Sequence, residues 1–233
     1  MMNVNVTEDI SVKGRVMAAL TRMDEVERRV AIRRLRNENR RATIDACLSS
    51  LDNADESVRI SAAKTLPIVG STPDVASKLI DLLRTNPTPQ VRCACAKELA
   101  RAESPEAADA VLASLDDSND EVVMASCQYL ARWGGRPAIE ALLQLLSHPT
   151  WDVRLRASIA LVDLGVCNAR VLSTLESLAG APEARVHDAR VAAFDEAVEE
   201  TGGLLPMHER IGTIREIVDR ARRVHTRSVR MAA

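Results

Sequence analysis

The sequence predicts an all-α protein, a right-handed α-solenoid (an alpha-alpha superhelix) of about six stacked helix pairs. Three observations support this fold class. A pattern of apolar residues returns about every 32 positions, in steps of 33, 31, 31 and 33 residues. Within each copy, spacings of three, five and eight residues mark one face of a helix. Hydrophobic residues make up 46% of the chain but aromatic residues only 2%, which suits closely packed Ala-, Val- and Leu-rich helices.

Each copy of the repeat contains two helical patterns. The first pattern begins at Val58, Val91, Val122, Val153 and Val186. Eight residues later the same face carries Leu66, Leu99, Leu130, Leu161 and Phe194. The second pattern ends at Leu51, Leu83, Leu115, Leu146 and Leu178. A single pair of amphipathic helices cannot bury its apolar faces, so neighbouring pairs are expected to stack.

The repeats divide the chain into four predicted segments. Residues 1–23 are expected to form an N-terminal capping segment, and residues 24–200 hold the repeats. Val26, which lies 32 residues before Val58, is interpreted as the start of a degenerate first copy. Residues 201–225 predict a C-terminal capping helix, and residues 226–233 a frayed basic tail.

Helix-breaking residues fall between the predicted helices. Gly70, the Gly134–Gly135 pair and Gly165 follow first helices, as a C-terminal cap requires. Second helices are expected to begin at Pro73, Pro105 and Pro137, where a missing amide hydrogen costs nothing.

Composition and cysteine content favour a cytoplasmic protein. The sequence has no apolar run of about 18 residues, so no membrane span is predicted. Its first residues lack the continuous apolar core of a secretory signal. The five cysteines are odd in number and lie inside helical patterns, which indicates free thiols in a reducing compartment.

Three segments resemble HEAT-like repeats, namely DESVRISAAKTLPIVG, DEVVMASCQYLARWG and WDVRLRASIALVDLG. They are most similar to the short repeats of the bilin-lyase HEAT-like group, over roughly residues 24–200. The resemblance implies that second helices line a concave face. It also implies a ladder between repeats, formed by Arg59, Arg92 and Arg154 with Asp55, Asp120 and Asp152 as candidate acids.

No catalytic, metal-binding or cofactor-binding residue is predicted. The sequence lacks C-x-x-C, H-E-x-x-H, G-x-S-x-G and Gly-rich phosphate-loop motifs. HEAT-like deoxyhypusine hydroxylases bind iron through repeated His-Glu pairs, whereas this chain has one such pair, His208–Glu209. The chain is therefore interpreted as non-catalytic.

The second helices predict an acidic surface. Counting back from the final leucine of each copy places one carboxylate per helix on a common face, with a glutamine beside the third: Asp81, Asp109, Glu140, Gln144 and Glu176. We expect this stripe to bind a partner protein that carries a basic or helical segment. A solvated helix face is the alternative interpretation.

Trp151 stands at a helix position that is polar in the other copies. This alignment predicts an exposed side chain and hence a binding hot spot. Tyr129 is expected to extend the same patch. The alternative is that Trp151 folds back over the turn between repeats.

Positive charge is concentrated near both ends of the sequence. Residues 28–41 carry a net charge of +6, residues 215–233 carry +4, and residues 42–214 carry −10. The first cluster is a candidate patch for phosphates or an acidic partner: Arg28, Arg29, Arg33, Arg34, Arg36, Arg40 and Arg41. Solubility is the alternative role. Aromatic residues for base stacking are absent from the cluster, so nucleic acid is not the expected partner.

These features together predict a HEAT-repeat scaffold or adaptor that binds a partner protein through its concave face, as a monomer or weak homo-oligomer. Two alternatives remain open. The family resemblance allows a lyase-associated or chaperone subunit that handles a tetrapyrrole or its acceptor protein. The basic ends allow electrostatic binding of nucleic acid.

Overall fold

The protein is helical throughout the part of the chain that its computed structural model describes, residues 4–21, 24–69, 72–102, 104–200 and 212–232. These residues form thirteen α-helices and two short 3-10 helices, with no β-strand among them. The prediction of an all-α helical-repeat fold is therefore confirmed.

One N-terminal helix, α1 (Val4–Leu20), precedes six helix pairs. The pairs are α2 (Glu25–Glu38) with α3 (Arg40–Ser50), α4 (Glu56–Val69) with α5 (Pro73–Thr85), α6 (Pro89–Arg101) with α7 (Ala108–Ala113), α8 (Asp120–Trp133) with α9 (Arg136–Leu145), α10 (Trp151–Asp163) with α11 (Ala169–Ala179), and α12 (Pro182–Glu200) with α13 (Ile214–Ala232). Short 3-10 helices, Pro105–Ala107 and Ser114–Asp116, flank α7. The predicted number of pairs, about six, agrees with this arrangement.

The chain consists of two compact units, an N-terminal unit that ends at Tyr129 and a C-terminal unit that begins at Leu130. In the N-terminal unit, α1 packs against α2, α3 and α4, and α4 packs against both α2 and α6. The second helices α5 and α7 contact each other. In the C-terminal unit, α10 contacts α9 and α11, while α13 packs against α10, α11 and α12. Stacking of like helices within each unit is the arrangement that the repeat predicts.

The repeated apolar positions form the core. In four copies the first-helix valine and leucine are almost fully buried, at Val58, Val91, Val122, Val153, Leu66, Leu99, Leu130 and Leu161. All five leucines that end second helices are buried as well. The fifth valine, Val186, is instead 54% exposed. The side chain of Phe194 lies outside the described residues.

The first pair departs from the predicted register. Val26 was expected to begin its core stripe, but this side chain is 52% exposed. The buried stripe of α2 is Arg28, Ile32 and Leu35, which lie 30 residues before the buried Val58, Ala62 and Thr65. The prediction from Val26 was wrong because the buried stripe of α2 lies 30 residues before that of α4, and not 32.

Helix ends follow local chemistry. Gly165 ends α10 with a φ of 76°, the left-handed conformation that glycine adopts without steric cost. Thr72 caps α5, its hydroxyl accepting from the Val75 amide at 3.3 Å, and Pro73 begins that helix as predicted. The second helix of the third pair consists of short pieces, with a 3-10 helix on each side of α7, and the Ser114 hydroxyl donates to the Val111 carbonyl at 2.7 Å.

Three arginines repeat one interaction at the turns between pairs. Arg59, Arg92 and Arg154 each donate from Nη1 to the carbonyls five and six residues earlier, at distances of 2.6–3.2 Å. These bonds satisfy carbonyls of the preceding turn, which have no helical partner.

Two of these arginines also bond to the turn of the next repeat, and the expected pairing with Asp55 is not the one they form. Arg92 pairs bidentately with Asp117, at 2.7 Å from Nε and 2.8 Å from Nη2. Arg59 reaches the Thr88 hydroxyl at 3.1 Å, and Asp55 accepts from Ser57 instead. Arg59 and Arg92 therefore each bond to the turn of the next repeat.

The N-terminal segment forms one helix, which begins at Val4 and has Val16 and Leu20 buried. At the other end α12 reaches Glu200, as expected, whereas α13 continues past the predicted limit of 225 to Ala232. Gly70, Gly202, Gly203 and the His208–Glu209 pair lie outside the described residues.

Candidate protein-binding surfaces

In the N-terminal unit, two second helices present carboxylates to solvent. Asp81 on α5 and Asp109 on α7 are exposed, while neighbouring Leu79 and Ala110 are buried. Neither aspartate forms an ion pair with another described residue of the chain. Because α5 and α7 pack side by side, this unit carries negative charge on two adjacent second helices. We call Asp81 and Asp109 the N-terminal carboxylates.

In the C-terminal unit, the corresponding carboxylates are paired. Glu140 on α9 lies 3.2 Å from Arg136 of the same helix. Glu176 on α11 accepts from Arg222 of α13 at 2.9 Å. Gln144 is exposed on α9, one turn beyond Glu140. The predicted positions are therefore all exposed, but arginines of the chain itself offset the charge in this unit.

Trp151 is buried, so the prediction of an exposed side chain was wrong. The residue is 6% exposed, and its indole Nε1 donates to the Leu178 carbonyl at 3.3 Å. Its ring centroid lies 5.7 Å from that of His187. His187 occupies the ladder position that is arginine in three other copies. The side chain folds back toward the next repeat, as the alternative interpretation stated.

Tyr129 is also buried, with 0% of its surface exposed. Its hydroxyl donates to the Ser104 carbonyl at 2.6 Å. Burial, with a smaller contribution from Glu106, raises the pKa of this phenol to about 12. The expectation that Tyr129 extends an exposed aromatic patch was therefore wrong, because a polar partner within the core compensates burial of the hydroxyl.

The predicted basic patch is only partly a free surface. Arg28 is buried, Arg29 pairs with Glu25 at 2.9 Å, and Arg36 donates to the Ile68 carbonyl at 3.1 Å. The bond from Arg36 therefore links α2 to α4, whereas the Arg29–Glu25 pair lies within α2. The exposed members are Arg33, Arg34, Arg40 and Arg41, and Arg41 lies 3.6 Å from Asp45.

The cysteines are buried free thiols, namely Cys47, Cys93, Cys95, Cys127 and Cys167. Burial raises the pKa of Cys47 to about 12 and raises the pKa of Cys93, Cys95 and Cys167 as well. A thiol with a raised pKa is a poor nucleophile at neutral pH.

Within the described ranges, no three His, Cys, Asp or Glu side chains are grouped to hold a metal ion. Nor does any helix of the described part have the length and apolar character needed to cross a membrane.

A buried acid was not anticipated from the sequence. Glu98 on α6 is 1% exposed, and one oxygen accepts from Arg101 at 2.6 Å. The other oxygen, Oε2, has no hydrogen-bond partner among the described residues. Burial is the main reason that the pKa of Glu98 rises to about 7. The corresponding residues in three other copies, Thr65, Tyr129 and Ala160, are all buried. The repeat therefore places this acid at a core position, which the prediction of an exposed Tyr129 missed.

The stacked pairs and exposed second helices define a helical-repeat protein. The sequence profile described as HEAT repeats matches residues 14–100 and 76–160. The chain belongs to the HEAT repeat family.

Several solved structures resemble the chain at low sequence identity. The complex of CpcE and CpcF of phycocyanin lyase from Nostoc sp. PCC7120 is 19% identical, with a TM-score of 0.49, covering 88% of this chain and 92% of that chain. A designed armadillo repeat protein in complex with the peptide (KR)4 is 15% identical, with a TM-score of 0.49, covering 90% and 97%. An engineered protein is 17% identical, with a TM-score of 0.47, covering 92% and 98%. The comparison with curated proteins gives no match.

Proposed function

We propose that this HEAT-repeat protein is a non-catalytic adaptor, and that its second helices bind a basic segment of a partner protein. The observation that carries the proposal is the pair of N-terminal carboxylates, Asp81 and Asp109. Both are exposed on adjacent helices and form no ion pair with a described residue. Carboxylates without an internal partner are available to lysine or arginine side chains of another molecule.

Rigid helices support this role. A binding group on a packed helix loses little conformational freedom when a partner arrives, so less of the interaction energy is lost to ordering. Leu79, Leu82 and Leu83 anchor α5 in the core, and Ala110 and Val111 anchor α7. Before they could bind a partner, Glu140 and Glu176 of the C-terminal unit would have to release the arginines with which they pair, Arg136 and Arg222. We therefore assign the main contribution to the N-terminal unit.

The test is a binding titration with a fluorescently labelled oligolysine peptide, followed by anisotropy at low ionic strength. Charge reversal in D81K/D109K should weaken binding by about tenfold or more, since two favourable pairs become repulsive. The matched control is E56K/E121K, which reverses two exposed acids on the first helices α4 and α8. This control changes the net charge equally and should bind within about twofold of wild type.

Equal weakening by both double variants would show that only net charge matters, and the proposed surface would be wrong. Unchanged binding by D81K/D109K would contradict the proposal directly. Circular dichroism of each variant establishes that the helices remain intact.

A further inference from the structure

The C-terminal helix α13 carries a basic pocket that no part of the proposed adaptor surface uses. The pocket is a shallow, open depression of about 350 Å³, and the described residues that line it are Arg222, Arg223, Thr226, Arg227 and Arg230. All five belong to one helix. We propose that this pocket binds an acidic peptide segment of a partner protein, through carboxylates that dock on Arg223, Arg227 and Arg230.

The helix is fixed in place by its opposite face. Ile214, Ile217, Val218 and Ala221 are all buried, and the Ile214 amide donates to the Asp188 carboxylate at 2.7 Å. His225 contacts the Cys167 carbonyl at 2.7 Å through Nδ1. The helix therefore presents its other side to solvent from a packed support.

The arginines of the pocket differ in whether they pair with carboxylates of the chain itself. Arg222 is bound to Glu176 at 2.9 Å and lies 3.7 Å from Asp219, so its position is set by the chain itself. Arg223, Arg227 and Arg230 are exposed and form no ion pair with a described residue. Their spacing of four and three residues places them on one stripe, about 6 Å and about 4.5 Å apart along the axis.

The donors of the pocket are suited to an anion that presents two oxygen atoms side by side. The Thr226 hydroxyl already donates to the Arg222 carbonyl at 2.9 Å, so the hydrogen-bond donors that remain are guanidinium groups. Guanidinium groups bind carboxylates through two parallel hydrogen bonds, with more geometric specificity than an ammonium provides. Acidic side chains three or four residues apart on a helical peptide would match the arginine stripe.

The lining of the pocket favours an acidic peptide over nucleic acid. The described residues that line it include no aromatic ring on which a base could stack.

The experiment measures anisotropy of a labelled oligoglutamate peptide with the full chain at low ionic strength. Wild type should bind saturably, and R223E/R227E should bind about tenfold or more weakly, because two charge-assisted contacts become repulsive. The matched control R185E/R190E reverses two exposed arginines on α12 of the same unit and should leave affinity unchanged. If R223E/R227E loses its helical circular dichroism signal, R223Q/R227Q replaces it, with a smaller loss of affinity expected.

Absence of saturable binding by wild type would overturn the proposal, and so would equal losses in R223E/R227E and R185E/R190E. A single-stranded oligodeoxythymidylate that binds more tightly, and through the same arginines, would assign the pocket to nucleic acid instead. The oligolysine titration uses the opposite charge and the other unit, so failure of one proposal is distinguishable from failure of the other.

Discussion

The two units of the chain bury polar groups to different extents. Among the described residues, the N-terminal unit buries nine polar or charged side chains, whereas the C-terminal unit buries two, Ser158 and His187. The N-terminal unit also contains the nearly buried Arg92–Asp117 pair, while ion pairs of the C-terminal unit, such as Arg222–Glu176, are about half exposed. Stability of the first unit should therefore depend on charge and pH, and that of the second on apolar and aromatic packing.

The largest effect is expected in the C-terminal unit, at Trp151. Replacement of this 6% exposed side chain by alanine removes packing and leaves a cavity, so W151A should lose about 3–5 kcal/mol of unfolding free energy. Urea denaturation measures this loss. W151F keeps most of the packing but loses the bond to Leu178, and should cost much less. An unchanged unfolding free energy in W151A would mean that the stability of the C-terminal unit does not depend on this packing.

The Arg92–Asp117 pair gives the next largest effect, in the N-terminal unit. Its side chains are 13% and 10% exposed, so D117A leaves a nearly buried guanidinium without its carboxylate and should cost about 3 kcal/mol. The hydrogen bond from Arg92 is the main cause that lowers the pKa of Asp117. A lowered pKa stabilises the fold above the unfolded pKa of about 3.9. The difference between wild type and D117A should therefore shrink as pH falls below about 4.

Glu98 predicts a pH effect of opposite sign in the same unit. Burial raises the pKa of Glu98 to about 7. The protonated carboxyl therefore contributes its full stability to the fold below the unfolded pKa of about 4.3, and this stability is lost as pH rises through about 7. E98Q should be more stable than wild type by about 2 kcal/mol near pH 8 and equal to it near pH 4. Thermal unfolding across this pH range measures the difference. Parallel pH profiles for E98Q and wild type would refute the buried-charge assignment.

The smallest effect is expected at the exposed Arg222–Glu176 pair of the C-terminal unit. Its side chains are 57% and 46% exposed, and solvent screening reduces such pairs to about 0–1 kcal/mol. R222A should therefore change the urea midpoint little, and added salt should remove the remainder. If R222A lost as much unfolding free energy as D117A, the proposed difference between the ion pairs of the two units would be wrong.

The sequence predicted the repeated core because that information is local and periodic. Val58, Val91, Val122 and Val153 are buried as expected, since stacking requires an apolar residue at this position in every pair. The exposure of the second-helix carboxylates followed from the same helical spacing.

The errors occurred where a side chain finds its partner in another repeat. Trp151 stands in a polar position, but it bonds to the carbonyl of Leu178 and contacts His187. Arg92 likewise pairs with Asp117, which lies 25 residues later in the sequence, and not with one of the acids predicted for the ladder. A period shows which positions correspond, but it does not show which groups of neighbouring copies come within hydrogen-bond distance.

The central claim, that second helices of the N-terminal unit hold a basic partner, is tested most directly by hydrogen exchange with saturating oligolysine. Amide exchange should slow in α5 (Pro73–Thr85) and α7 (Ala108–Ala113), and remain unchanged in the first helices α4 and α6. Slower exchange confined to α4 and α6, or no change at saturation, would contradict the claim.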